Sequence, residues 1–242
     1  MLNLISSYSE GNPQSRTVAY GYDDLDRLVR EEIAGGETTV YAYDAVGNRE
    51  SVTVLGSGVT RTYEYDGNNR LKRELVNGVE QVAYRYDRNG NLVAVTEGGV
   101  TLSYVWDDRN RLMQVLADGV ELVSYAYDDD NIRVSATASG VTTSFLLDKN
   151  RPYAQVLEEY EEGNSVASYA YGLDLIEQER AALESTYLVD GLGSTRMLLD
   201  EAGAVQAAYS YNAYGNLAGE PGAVENAYRL AGEQWDEELG RY

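Results

Sequence analysis

Aspartate recurs at positions 23, 44, 66, 87, 107, 128 and 148, at intervals of 20 to 22 residues. A short period held over seven copies dictates a repeat architecture, because each copy adopts one local structure and buries its apolar face against the next. Six copies carry an aromatic pair just before the aspartate. They are Tyr20-x-Tyr22-Asp23, Tyr41-x-Tyr43-Asp44, Tyr63-x-Tyr65-Asp66, Tyr84-x-Tyr86-Asp87, Tyr104-x-Trp106-Asp107 and Tyr125-x-Tyr127-Asp128. Residues two apart share one face of a β-strand, so each pair reads as a strand end. The carboxylate that follows can accept from backbone N–H groups just downstream and start a turn. In one copy, Gly90 and Asn91 are the residue types that best tolerate positive φ, so the chain reverses there.

The opposite reversals lie between the aspartates: Gly35-Gly36, Gly56-Ser57-Gly58, Asn77-Gly78, Gly98-Gly99, Asp118-Gly119 and Ser139-Gly140. Asn-Gly and Asp-Gly between strand residues are two-residue hairpin signals. The expected fold class is all-β: tandem antiparallel β-hairpins of about 21 residues, strands of about six to eight, and no helix between them. Alternate copies differ. Arg27-Leu28, Arg70-Leu71 and Arg111-Leu112 follow every second aspartate, and Asn48-Arg49, Asn91-Leu92 and Asn131-Ile132-Arg133 follow the others. The unit is then a double hairpin of about 42 residues whose members meet different neighbours, as in a sheet that winds round on itself. A β-propeller built from such four-stranded units is the rival architecture.

Composition narrows the function classes. The 22 tyrosines stand against one Phe, which suits a face with rings on one side and hydrogen-bonded hydroxyls on the other. With 40 acidic and 19 basic residues the net charge is −21, which repels phosphate backbones and anionic membranes. Nucleic acid is not an expected partner, and no apolar run is long enough for membrane insertion. Without Cys or His there is no thiol nucleophile, no disulfide, no His base and no usual zinc or haem ligation. No cofactor is expected. Met1 to Ser6 lack the basic and apolar regions of a signal peptide.

Three regions follow from repeat character: a repeat array over 1–150, a degenerate transition over 151–186, and a different C-terminal unit over 187–242. Asn3-Leu4-Ile5 reads as the tail of an incomplete repeat. Phe145-x-Leu147-Asp148 replaces an aromatic pair, and Tyr171-Gly172 lacks its aspartate. Leu173 to Glu184 has helix-forming composition, yet Tyr169-Ala170-Tyr171 before it and Thr186 to Asp190 after it favour a hairpin. Gly219 to Gly222, with Pro221, reads as a loop. Nothing beyond it looks able to cap a sheet, so both ends read as cut, and exposed edge strands invite self-association.

The Tyr-x-Tyr-Asp units resemble the YD repeats of the Rhs (rearrangement hot spot) family. The C-terminal unit resembles the Rhs repeat-associated core, with matches at Asp190, Gly191, Leu192, Gly193, Ser194, Thr195 and Arg196. Further matches are Tyr209, Tyr211, Tyr214, Gly215, Tyr228, Gly232, Glu233, Asp236, Gly240 and Tyr242. The resemblance implies a β-ribbon spiralling into a hollow shell, as in bacterial polymorphic toxins, toxin-complex cocoons, wall-associated proteins and teneurins. It implies a secreted or cell-surface bacterial protein whose partners are the rest of its own shell and a C-terminal effector segment. Self-cleavage in such relatives is attributed to aspartates in a motif such as Arg-x-Arg-Tyr-Tyr-Asp-Pro, which this chain does not contain. No catalytic residue is therefore carried over, and the chain itself is not expected to be an enzyme.

Other chemistries are weaker. Asp87 to Asn91 has a loose likeness to a calcium loop but lacks its sixth-position Gly and distal Glu. Gly191-Leu192-Gly193 lacks the further Gly and the strand–turn–helix context of a phosphate loop. The tyrosine stripe reads first as a structural ladder. The functional alternative is an extracellular module that binds carbohydrate or a receptor through that face.

Overall fold

A computed structural model describes residues 17–219, 222 and 224–241. The incomplete repeat at Asn3-Leu4-Ile5, Pro221 and Tyr242 lie outside the described residues. The chain begins with β1 (Val18–Tyr22), β2 (Leu28–Ile33), β3 (Thr38–Tyr43), β4 (Arg49–Val54), β5 (Val59–Tyr65) and β6 (Leu71–Val76). It continues with β7 (Val79–Tyr86), β8 (Leu92–Glu97), β9 (Val100–Trp106), β10 (Leu112–Ala117), β11 (Val120–Tyr127), β12 (Arg133–Ala138) and β13 (Val141–Asp148). Then come β14 (Gln155–Glu161), β15 (Asn164–Tyr171), β16 (Leu175–Arg180), β17 (Leu183–Val189), β18 (Thr195–Leu199) and β19 (Val205–Ala208). Consecutive strands pair in a 19-stranded antiparallel sheet. The all-β, tandem-hairpin expectation is met. A propeller is excluded, because its sheets end after about four strands and this ladder does not.

The repeats at Asp23, Asp44, Asp66, Asp87 and Asp128 each contain an irregularity that their pattern did not announce. The register shifts between the middle residue and the second aromatic, at Gly21/Tyr22, Ala42/Tyr43, Glu64/Tyr65, Arg85/Tyr86 and Ala126/Tyr127. Such a β-bulge re-aims the side chain that follows it. The same shift persists at Leu146/Leu147 and Ala170/Tyr171, so degenerate copies keep the register. Residues 173–184 form β16, a turn and the start of β17, as the flanking tyrosines suggested. Helix propensity loses there because Gln178 and Tyr187 bury on one face of a paired ladder.

Two compact units are distinguished: residues 1–106 with 116–119, and residues 107–115 with 120–242. The first buries Val18, Tyr41, Val82, Ala94, Val95 and Tyr104. The second has a tyrosine-rich core of Tyr169, Tyr187, Tyr209, Tyr211 and Tyr228 around Leu198 and Ala207. Within it, residues after β19 make isolated bridges and one 3-10 turn (Leu230–Gly232), and they cover part of the sheet face. This corrects the expectation that nothing there caps a sheet. The covering segment closes a face through side-chain contacts, a mode with no strand-like periodicity to read. Two glycines permit the approach: a Cβ on Gly215 would lie 2.2 Å from Leu230 Cδ2, and one on Gly222 2.8 Å from the Gln206 carbonyl.

Candidate functional site

At Asp23, Asp44, Asp66, Asp87 and Asp107 both carboxylate oxygens close the turn, whereas Asp128 and Asp148 close it with Oδ1. At Asp66 the backbone N–H donates to the Arg70 carbonyl (2.9 Å), and Oδ1 accepts the N–H groups of Asn68 (2.8 Å) and Arg70 (3.0 Å). Oδ2 accepts from Arg70 Nε (2.7 Å). The residue three beyond the aspartate takes positive φ: Asp26, Gly47, Asn69, Gly90, Asn110 and Asn131. Gly90 therefore does what its type suggested, whereas Asn91 instead donates its side-chain amide to Asp87 Oδ2 (2.9 Å). That bond, with the Asn91 N–H on Oδ1 (2.8 Å), commits both Asp87 oxygens to the turn.

These bonds lower the aspartate pKa values throughout the array. At Asp23 and Asp107 the leading cause is the backbone N–H four residues on, and at Asp66 the Arg70 side chain. At Asp128 it is Lys149, which also reaches Asp130 (2.8 Å). At Asp44 and Asp87 burial opposes the shift, and the amides of Asn48 and Asn91 outweigh it.

The alternation of arginine and asparagine now has a cause. Arg70 grips Asp66, lies over the Tyr86 ring (4.9 Å) and donates to the Asp87 carbonyl (3.3 Å), so one side chain joins two repeats. The Tyr86 hydroxyl returns to the Leu71 carbonyl (2.9 Å). The same relay links Arg27 to Tyr43 and Leu28, and Arg111 to Tyr127 and Leu112. In two of the three intervening copies an arginine comes one place later, at Arg49 and Arg133, and Leu92 takes that place in the third; Arg49 lies over Tyr63 (4.6 Å). Trp106 keeps the role of a second aromatic because its indole N–H, a donor only, reaches the Leu92 carbonyl (2.8 Å).

Several first tyrosines point to carboxylate acceptors. Tyr41 donates to Glu31 (2.9 Å), Tyr84 to Glu74 (2.5 Å) and Tyr169 to Glu159 (2.7 Å). Tyr104 is also buried, while Tyr20 and Tyr63 are partly buried and Tyr22 is exposed. Tyr65 donates to the Arg49 carbonyl (3.0 Å). Rings held in this way leave no exposed stripe along the repeats among the described residues, which disfavours the carbohydrate reading.

The C-terminal unit turns out to reuse the turn. Asp190 accepts the N–H groups of Leu192 and Ser194 and the Arg196 guanidinium, with Gly193 at positive φ. Asp200 and Asn212 do the same for Ala202 and Ala204, and for Tyr214 and Asn216. By its sequence alone this region reads as a different unit. The signal for the shared turn is Asp or Asn followed three residues later by Gly, at Gly193, Gly203 and Gly215. Gly191 has open space beyond its Cβ position, so packing does not require it.

The covering segment is anchored on the same face. Asp236 accepts the Tyr125 hydroxyl (2.5 Å) and pairs with Arg133 (3.6 Å), while Asn226 accepts from Tyr187 (2.7 Å). Ser194 Oγ accepts the Ala231 N–H (3.0 Å), Tyr228 packs edge-on to Tyr169, and Tyr211 donates to the Thr195 carbonyl (3.1 Å). Tyr209 is buried, and Gly232 and Gly240 take positive φ. The Asp236 bond and burial raise the Tyr125 pKa, with burial the larger cause.

Among the described residues no helix is long and apolar enough to cross a membrane. No curated protein sequence is a match. Among solved structures the chain is similar to a crystal structure of TcdB2-TccC3-Cdc42, at 14% identity and TM-score 0.42, covering 93% of this chain and 16% of that one. A structure of the Photorhabdus luminescens Tc holotoxin pore matches at 15% identity and TM-score 0.37, covering 92% and 16% respectively. This chain thus spans 16% of the length of either. The teneurin YD-shell family model matches residues 2–223, the region that holds every Asp turn and aromatic pair described above. The chain belongs to the teneurin YD-shell family.

Proposed function

We propose that the chain is a non-catalytic wall segment of a YD shell that encloses or presents an effector joined on its C-terminal side. The parent protein would be secreted or displayed on a bacterial surface. The observation that carries this reading is the relay: turn, arginine and second aromatic of one repeat are completed by the next, which builds continuous wall. The side chains that could do chemistry, the aspartates and tyrosines, are committed to that wall. Residues 1–150 would be the array proper, 151–186 a transition, and 187–242 the terminal core, with the rest of the shell and the effector as partners.

The test uses the full-length parent protein and limited trypsin digestion followed by mass spectrometry. Sequence downstream of residue 242 should survive digestion in the native protein and be cut once denaturant opens the wall. Equal cutting in both conditions overturns the enclosure.

A further inference from the structure

On the buried face three glutamates sit ten residues before a first tyrosine and accept its hydroxyl: Glu31, Glu74 and Glu159. Two of them also receive a guanidinium on the other oxygen. Arg61 donates to Glu74 Oε2 (2.7 Å), and Arg180 to Glu159 Oε2 (2.7 Å). Glu31 is 4% exposed, and its Oε1 has no hydrogen-bond partner among the described residues.

Strand register explains the difference. Arg61 precedes by two residues Tyr63, which lies opposite Glu74; Tyr20 lies opposite Glu31, so the matching position is Val18. Arg180 lies two strands from Glu159 through Ala167; the same step from Glu31 runs through Thr39 to Val54. Both cation positions are valine. A buried carboxylate oxygen without a donor keeps the full cost of its lost hydration.

We propose that Glu31 accepts the guanidinium or ammonium group of an arginine or lysine on a polypeptide laid across β1–β4. The second unit already holds a laid-on segment at equivalent repeat positions, through Tyr187 to Asn226, Tyr125 to Asp236 and Arg180 to Glu225. In these three contacts the face donates and the segment accepts. At Glu31 the polarity is reversed, so the visiting chain must donate. Net charge of −21 attracts a basic visitor, and a long stem with a flat donor head suits a buried oxygen. The inference does not depend on an enclosed effector.

The probe is N-acetyl-arginine amide, added to the whole chain with its tyrosine rings labelled for NMR. The Tyr41 ring signal should shift saturably, and Glu31→Gln should weaken the response by about tenfold or more, as expected when one member of a buried charged pair is removed. Val54→Arg supplies the missing guanidinium internally, so it should abolish the response and raise Tm. Glu74→Gln should leave the response unchanged. An unshifted Tyr41 signal in the unaltered chain, or equal affinity in Glu31→Gln, overturns the proposal.

Discussion

Tyrosine outnumbers phenylalanine in this chain because the hydroxyl is used at nearly every repeat. The second tyrosine reaches a carbonyl of the preceding repeat, and a phenyl ring would leave that carbonyl unpaired. Tyr86→Phe should therefore cost about 1 kcal/mol in urea unfolding, the usual net value of such a bond. Tyr22→Phe, at an exposed ring, should cost much less. Equal effects of the two changes would mean that the Tyr86 to Leu71 bond is not made in solution. The aspartates act on the same scale but through protonation. Their folded pKa values lie below the ordinary aspartate value of 3.8, as the hydrogen bonds to Arg27, Arg70 and Arg111 require. A group lowered on folding contributes stability above its unfolded pKa and loses it as pH falls through its folded one. The array should hold its thermal stability down to about pH 4 and lose it steeply below, in proportion to the number of intact turns. Asp66→Asn keeps an oxygen for the turn but removes the charge, so it should flatten that acid limb while lowering Tm at pH 7. An acid limb unchanged in Asp66→Asn would rule out these carboxylates as its source.

At the scale of the element, the two kinds of turn are unequally made. Asn77-Gly78 and Asp118-Gly119 place their two central residues at positive φ, as type I′ hairpins demand. The turn between β16 and β17 asks the same of Ala181 (φ 51) and Ala182 (φ 59), which gain nothing from it. Ala182→Gly should stabilise by about 1 kcal/mol in chemical denaturation, because it removes left-handed strain. A loss of stability would show that the added freedom of the unfolded chain outweighs that strain. This hairpin also marks how far the fold was legible. Its existence followed from the tyrosines on either side, although Leu173 to Glu184 has the composition of a helix. The strand order and both turn types were readable because period-two aromatics and positive-φ residues are local signals. The bulge before Tyr43 and its equivalents was not, since an extra residue in a strand leaves the spacing of Tyr-x-Tyr unchanged. Nor was the docking of Asp236 on Tyr125, 111 residues away, which depends on where strands end up in space. The Asp190, Asp200 and Asn212 turns were legible in principle, had the turn been read as Asp or Asn followed by Gly three on, without the aromatic pair.

For the whole molecule, charge sets up two opposing responses. Partly exposed pairs such as Arg70 with Asp66 are weakened by salt, but each contributes little. Self-repulsion from a net charge of −21 is weakened too, and that raises stability. The repulsion is concentrated in places. Glu179 and Glu184 lie directly opposite on β16 and β17, and Glu201 raises the Glu184 pKa ahead of Glu177. Like charges opposite one another destabilise a ladder. The sign is the reverse of the aspartates: a carboxyl raised on folding favours the fold when protonated, and the benefit disappears as pH rises through the folded value. At neutral pH Glu184 is therefore a net liability. Glu184→Gln should raise Tm in low salt, and the gain should shrink as sodium chloride is added, because screening already relieves the repulsion in the unaltered chain. The unaltered chain should itself gain Tm with salt. Thermal melts of both proteins across a salt series decide the matter. If Tm falls with salt in both, the turn and relay ion pairs dominate the electrostatics, and the acidic surface is tolerated because those pairs outweigh it. If Tm rises in the unaltered chain and the two curves converge, the acidic surface is held at a cost to the fold, which the uncharged bonds of the repeat relay offset.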